Sequence, residues 1–299
     1  MPKTAEEIAE SKRKRIEIAN KYGGVPTSIW EIDYSIGKDI NELHSKKQHV
    51  VSVDRHKKMD YDKRLYKHVA MSVQMVRGKG AGISTFPPEL VKRVESFYSE
   101  PGDTVLDLSA GHNSRMECTY QLGRNYIGYD PSIPFMAFNR EVAEKLLNNK
   151  LLANGCTITL RQQSSEHLEE ADNSVDLVFT SPPYYKIEDY GDEPEQLGKN
   201  CTYDEFLDRM TTVLREGHRV LKPGKFMIIN VNDFMYEKEF YPYHADIINI
   251  YRRVGIPIHD IIIVKWKNSI SQCFATKLEK WRRVAKLHEY LIVGKKNVI

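Results

Sequence analysis

The chain has 299 residues, of which 28% are charged and 41% hydrophobic, with 44 Lys or Arg against 41 Asp or Glu. That length buries a full core and fits one catalytic domain with an extension better than two equal domains. No apolar run approaches a bilayer's thickness, Met1-Pro2-Lys3-Thr4 opens no signal-peptide core, and Cys118, Cys156, Cys201 and Cys273 form no C-x-x-C pair. A membrane protein, a metal module and a disulfide scaffold are therefore not expected, and a cytoplasmic protein with reduced thiols is.

Charge is unevenly spread: residues 1–80 hold 17 Lys or Arg against 11 Asp or Glu, leaving 27 against 30 for the rest. This divides the chain into a basic N-terminal extension, residues 1–80, and a catalytic domain, residues 81–299. Thr4-x-x-Glu7 is a capping-box pattern that predicts a helix to about Tyr22, with Gly23-Gly24 as its stop. The cluster Lys12-Arg13-Lys14-Arg15 reads first as a solvated face of that helix and second as a phosphate contact. The stretch from Arg55 to Gly80 interleaves basic residues with Tyr61 and Tyr66 and ends in Arg77-Gly78-Lys79-Gly80. Arg77 and Lys79 are candidate nucleic-acid contacts there.

From about Ile83 strands and helices alternate, the signature of a mostly parallel sheet covered on both faces. Pro87-Pro88-Glu89 opens a helix bearing Leu90, Val91, Val94 and Phe97. The strand Thr104–Leu108 then carries Asp107 near its end and runs into the small-residue turn Ser109-Ala110-Gly111-His112-Asn113-Ser114. A helix over about 115–122 and the strand Tyr126–Tyr129 follow, ending at Asp130. Gly111 and Asp130 are 19 residues apart, close to the gap of about 20 between a nucleotide-binding turn and the acid that grips ribose hydroxyls. Asn113 is expected to support the tight turn in a left-handed conformation.

Thr180-Ser181-Pro182-Pro183-Tyr184-Tyr185 follows the apolar run Val175–Phe179. The prolines fix their own φ and restrict the residues before them, which holds backbone carbonyls in one direction. Tyr184 offers a flat face for a planar substrate. Together Ser181, Pro182, Pro183 and Tyr184 suit a pocket for an exposed nucleobase amino group. Downstream, Phe206, Leu207, Met210, Val213, Leu214 and Val220 form one apolar stripe, which is core. Strands are expected at Phe226–Val231, Asp260–Trp266 and His288–Val293, with a helix near Asp246–Tyr251. Lys280, Arg282 and Arg283, beside Trp281 and Lys277, are either a DNA contact or a plain surface hairpin.

Ser181-Pro182-Pro183-Tyr184 resembles the catalytic motif of the DNA amino-methyltransferases, which place Ser, Asn or Asp before Pro-Pro-Tyr or Pro-Pro-Phe. Serine in the first position resembles the N4-cytosine branch more than the N6-adenine branch. The resemblance runs from about Ser84 to the C-terminus. Asp107, Ala110 and Gly111 match the family's first cofactor motif, where Ser109 replaces a phenylalanine and Asn113 the last glycine. The segment Arg124–Asp130 resembles the next motif, and Ser84-Thr85-Phe86-Pro87-Pro88 resembles the one that packs on the methionine end of the cofactor.

The resemblance implies a Rossmann-like S-adenosylmethionine-dependent methyltransferase fold with an antiparallel closing strand. It assigns Thr85, Phe86, Asp107, Ser109, Ala110, Gly111, Asn113, Asp130 and Ser164 to the cofactor, S-adenosylmethionine, and the four loop residues to catalysis. Phe86 would neighbour the positive sulfonium. Tyr185 joins the nucleic-acid contacts, and a partner nuclease or a homodimer completes the expected partners beside DNA. The cofactor elements precede the catalytic loop here, whereas many N4-cytosine enzymes carry the catalytic half first. Adenine N6, an RNA base, or a catalytically silent nucleic-acid binder on the same fold stay open as alternatives.

Overall fold

Residues 4–22, 26–32, 86–150, 152–187, 193–267 and 279–298 are described by the computed structural model. In chain order they form α1 (Ala5–Tyr22), β1 (Ile29–Ile32), α2 (Pro88–Tyr98), β2 (Thr104–Asp107), α3 (Ser114–Gln121), β3 (Asn125–Tyr129), α4 (Ile133–Leu147), β4 (Ile158–Arg161) and β5 (Val175–Thr180). Then come α5 (Tyr203–Val220), β6 (Leu221–Val231), the short β7 (Phe234–Tyr236) and β8 (Glu239–Tyr241), α6 (Tyr243–Val254), β9 (Ile258–Trp266) and β10 (His288–Lys295).

Eight strands form one sheet in the order β1-β9-β10-β6-β5-β2-β3-β4, and β7 pairs with β8 apart from it. Within the large sheet every pairing is parallel except those of β10, which runs against both neighbours. The strand beside the centre shows why both faces are covered. All six residues of β5 are buried, with Leu177 and Phe179 facing the core under α2 while Val178 faces the core under α5 and α6. A smaller apolar cluster, including Met116, Tyr120, Phe138 and Leu146, seats α3 and α4 against β3.

Several boundaries follow directly from local chemistry. The Thr4–Glu7 capping box is present in both directions, since Thr4 N donates to Glu7 Oε2 at 2.7 Å and Glu7 N to Thr4 Oγ1 at 3.2 Å. The Lys12–Arg15 cluster lies on an exposed face of α1. A second capping box, Thr202 with Glu205, starts α5, whose expected apolar stripe is buried except for the half-buried Leu207. β6 begins at Leu221, earlier than the expected Phe226, because Leu221 pairs with Val175 before the register shifts. Gly224, at φ +77, turns the chain inside that strand.

The strand β1 has no counterpart in the sequence reading, which placed residues 1–80 in an extension outside the core. Trp30 and Ile32 are 2% and 0% exposed and pack in the core beneath α2, with β1 parallel to β9. Residues 55–80, with Arg77 and Lys79, and also Thr85, Cys273 and Lys277, lie outside the described residues. Among the described residues no helix is long and apolar enough to cross a membrane.

Because Thr202 completes the box that opens the central helix α5, Thr202→Ala is expected to lower unfolding free energy by about 1 kcal/mol. Urea denaturation should register this as a lower midpoint with an unchanged slope.

Candidate active site

In an open parallel sheet the loops at the carboxyl ends of the strands converge on one edge, where ligands bind. Here those of β2, β3, β5 and β6 line a single cleft of about 330 Å³. One buried carboxylate organises it. Asp107, 1% exposed, accepts from Arg115 Nε at 2.6 Å, Thr180 Oγ1 at 2.7 Å, Tyr126 Oη at 3.0 Å and Ser109 N at 3.2 Å. Gly128 makes room for one of these donors, because a Cβ there would lie 2.6 Å from the Tyr126 ring that crosses it. Burial works against the Arg115 charge, yet Asp107 outweighs it and holds the guanidinium above its ordinary pKa. Arg115 also donates to the carbonyls of Ser109 and Ala110 and stands 4.9 Å over the Phe86 ring.

The turn after β2 presents backbone rather than side chains. Gly111 takes φ +51, a conformation that favours glycine, and its N–H donates to Asp130 Oδ2 at 2.9 Å. Ser132 N donates to the other Asp130 oxygen at 2.8 Å, and Asn139 Nδ2 holds the Gly111 carbonyl at 2.9 Å. Burial pushes the Asp130 carboxyl up to about 6 against those two N–H donors. Next to it, burial and then Arg115 push the His112 imidazole down to about 4, so the ring is neutral. His112 Nδ1 and Ser114 Oγ are buried without a partner among the described residues, and both residues line the cleft.

Across the cleft lies the loop after β5. Ser181, Pro182, Pro183 and Tyr184 all line it, directly behind the Thr180 that is tied to Asp107. Tyr184 is fixed at its tip by Asn232 N, which donates to Oη at 2.9 Å, and at its edges by Phe234 and Tyr243. The segment from Glu193 folds back against Ser164 and Glu166. Ser164 N donates to Glu195 Oε2 at 2.9 Å, while Arg209 bridges Glu166 to the carbonyls of Glu195 and Gln196.

The structure thus brings Phe86, Ser109, Gly111, Asp130 and Ser164 into one cleft with the four loop residues. Others sit differently. Asp107 and Ala110 lie beneath it, Asp107 as the anchor just described and Ala110 through its N–H to the Tyr129 carbonyl at 2.8 Å. Asn113 is not left-handed: it caps α3 at φ −59 and is 1% exposed, because Gly111 already supplies the positive φ. The Phe86 face holds Arg115, an internal cation. Tyr185 is 6% exposed, donates to the Cys201 carbonyl at 3.0 Å and packs on Tyr203 and Phe206, so its ring is core rather than a nucleic-acid contact. Lys280, Arg282 and Arg283 are exposed beside Trp281. Sequence reasoning missed Arg115, Asn230, Asn232, Asp233, Trp266 and Glu289 as cleft residues. A visible signal existed for the last, a carboxylate inside a strand that is otherwise apolar.

The sheet order, with one antiparallel strand third from the edge, defines a Rossmann-like fold of the kind found in S-adenosylmethionine-dependent methyltransferases. Residues 175–298 match the DNA methylase family of the N6/N4 type. The chain is 42% identical over 60 residues to the Type II methyltransferase M.XycI of Xanthomonas campestris pv. cyanopsidis, covering 20% of each chain. To the Type II methyltransferase M.Cfr9I of Citrobacter freundii it is 34% identical over 91 residues, 30% of each chain. The matched stretches therefore span no more than 30% of the length of these relatives. Among solved structures, the cyclase SpnF superposes with a TM-score of 0.51 at 14% identity, over 79% of this chain and 95% of that one. That likeness is one of fold, not of chemistry.

Removing one partner of a buried ion pair leaves the other charge uncompensated, at a cost of about 3–5 kcal/mol. Asp107→Ala should therefore lose stability on that scale in chemical denaturation, well beyond the Thr202→Ala effect.

Proposed function

We propose that the chain transfers a methyl group from S-adenosylmethionine to the exocyclic amino group of a base flipped out of DNA, with cytosine N4 as the target. One observation carries this reading: the Ser181–Tyr184 loop and the Gly111–Asp130 turn line the same cleft, joined through Asp107 at their roots. Serine in the first position of the loop supports cytosine over adenine.

The residues present fit the cofactor. The backbone at Gly111, a carboxylate at Asp130 and the His112 Nδ1 and Ser114 Oγ, unpartnered among the described residues, form a polar wall that a nucleoside with ribose hydroxyls would satisfy. Phe86, Ser109 and Ser164 would complete that side. When bound, the cofactor supplies an electrophilic methyl group on a sulfonium.

The chain's own contribution is positioning. Extruding the base costs a few kcal/mol, offset by stacking on Tyr184, whose ring is already fixed by Asn232. Ser181 and the Pro182 carbonyl accept hydrogen bonds from the amino group and turn the nitrogen lone pair out of conjugation, toward the cofactor side of the cleft. Holding reactants in line is worth up to roughly 7–11 kcal/mol. No strong base is required, because the methylated nitrogen is acidic until it sheds its proton to solvent. The exposed Trp281 with Lys280, Arg282 and Arg283 supports a DNA contact, with affinity that falls as salt rises.

Incubation with DNA and methyl-labelled S-adenosylmethionine, followed by nucleoside digestion and mass spectrometry, should place label in N4-methylcytosine. Label in N6-methyladenine would move the target base, label in RNA alone would move the substrate, and no label in either would favour a silent nucleic-acid binder. Ser181→Ala should reduce turnover about 10- to 100-fold, the scale of one buried hydrogen bond left unmade, while cofactor affinity measured by calorimetry stays unchanged.

The pH dependence of cofactor binding follows from Asp130. Ribose hydroxyls donate to the ionised carboxylate, and this group sits at about 6 in the free protein. Affinity should thus rise with pH up to that point, by at most about tenfold per unit, and level off above it. Asp130→Asn should flatten the profile as well as weaken binding; an Asp130→Asn variant with unaltered affinity would remove its ribose role.

A further inference from the structure

At its far end the cleft closes in a polar corner that none of the roles above uses. Asn230, near the end of β6, is 3% exposed; its Nδ2 donates to Glu289 Oε2 at 2.6 Å, and its Oδ1 has no partner among the described residues. Glu289 is half-buried and lines the cleft, and Trp266 hydrogen-bonds its carboxyl as well. Two residues further along the chain, Asn232 Oδ1 is also buried and unpartnered.

Both partners of the Glu289 carboxyl are neutral, and burial pushes its pKa up against their hydrogen bonds. An upward shift of this kind brings the neutral form within easier reach, and in that form the carboxyl carries one O–H donor. Native structures rarely leave such groups unmet, so this donor and the Asn230 oxygen mark a place for a ligand that presents an acceptor next to a donor. Cytosine and adenine share that pattern: an unprotonated ring nitrogen beside the carbon that bears the amino group. Thymine has no such amino group, and guanine offers the pattern only through N3, on the edge that bears its sugar.

Resting on the methyltransferase reading, we propose that Glu289 and Asn230 read the ring edge of the flipped base. The Glu289 hydroxyl donates to the ring nitrogen beside the amino-bearing carbon, and the Asn230 oxygen shares with Ser181 the amino hydrogen on that side, the second hydrogen remaining with the Pro182 carbonyl. Asn230 Nδ2 and Trp266 hold the carboxyl in position. The hydrogen bonds move no proton; they select the base and set its rotation within the pocket. The corner therefore rejects bases without that edge, while stacking on Tyr184 accepts any planar ring.

The test pairs a protein change with a change of one base atom. Duplexes carrying cytosine or 3-deazacytosine at the methylated position, or adenine and 1-deazaadenine if adenine is the base modified, are compared as substrates. Wild-type protein should lose about 10- to 100-fold in kcat/KM when the ring nitrogen is removed. Glu289→Ala should lose a similar factor on the natural base and then be indifferent to the deaza substitution. Glu289→Gln, which keeps a donor in place, should retain most activity and most of the discrimination. Where Glu289→Ala turns over too slowly, the same comparison is made by equilibrium binding of the two duplexes, with cofactor affinity and Tm reporting that the variant is folded. A folded Glu289→Ala that discriminates as the wild type does overturns this inference alone. Wild-type protein that methylates no nucleic acid overturns the functional reading, and this inference with it.

Discussion

The Asp107 carboxylate is the constraint on which the site depends. It gathers donors from two strands, from the turn after β2 and from α3, through Tyr126 of β3, Thr180 of β5, Ser109 and Arg115. Thr180 is the residue immediately before Ser181, and Ser109 stands two residues before Gly111. One buried group thus fixes the distance between the two halves of the cleft. That matters because displacements of about 1 Å are enough to lose a large part of a positioning effect. The arrangement is costly in isolation, since a buried ion pair gives back in Coulomb attraction little more than it lost in desolvation. Its role is to specify geometry: the carboxylate is saturated with donors, and the guanidinium is shared between Asp107, two carbonyls and the Phe86 face.

Much of this was legible in the sequence where the signal was local. The spacing of Gly111 and Asp130 anticipated a turn meeting an acid, and the structure joins them at 2.9 Å. The Thr4–Glu7 box, the apolar stripe of α5 and the fully buried β5 follow from residue type and period. What escaped was decided by partners distant in the chain. Ile29–Ile32 is too short to announce a strand, and it is one because Ile263 to Trp266 offer it an edge. Tyr185 reads as a free aromatic beside Tyr184, yet Tyr203 and Phe206 of α5 enclose it. Asn113 was read against a pattern with its left-handed residue two positions too late, because Gly111 bends the chain first and leaves Asn113 free to cap a helix.

The electrostatics of the cleft are those of a place short of water. His112 is held neutral, and burial raises both Asp130 and Glu289, so the walls present hydrogen-bonding groups more than fixed charge. Arg115 commits its charge to Asp107 and the turn. Recognition by such walls is directional: a ligand is accepted when its donors and acceptors meet theirs, and refused when buried groups are left unpaired.

The single reversed strand explains how the far corner comes to exist at all. In a wholly parallel sheet only carboxyl ends of strands face the ligand edge. β10 runs the other way, with Tyr290 opposite Val231 at the end of β6 and His288 opposite Lys265 at the end of β9. Its first residues therefore arrive where its neighbours finish. Glu289 can be delivered on a rigid strand, between Asn230 from one side and Trp266 from the other, instead of on a loop. A carboxyl carried by a strand with hydrogen bonds to both neighbours keeps its position when the base enters, and a base-reading group needs that fixity as much as it needs the right chemistry.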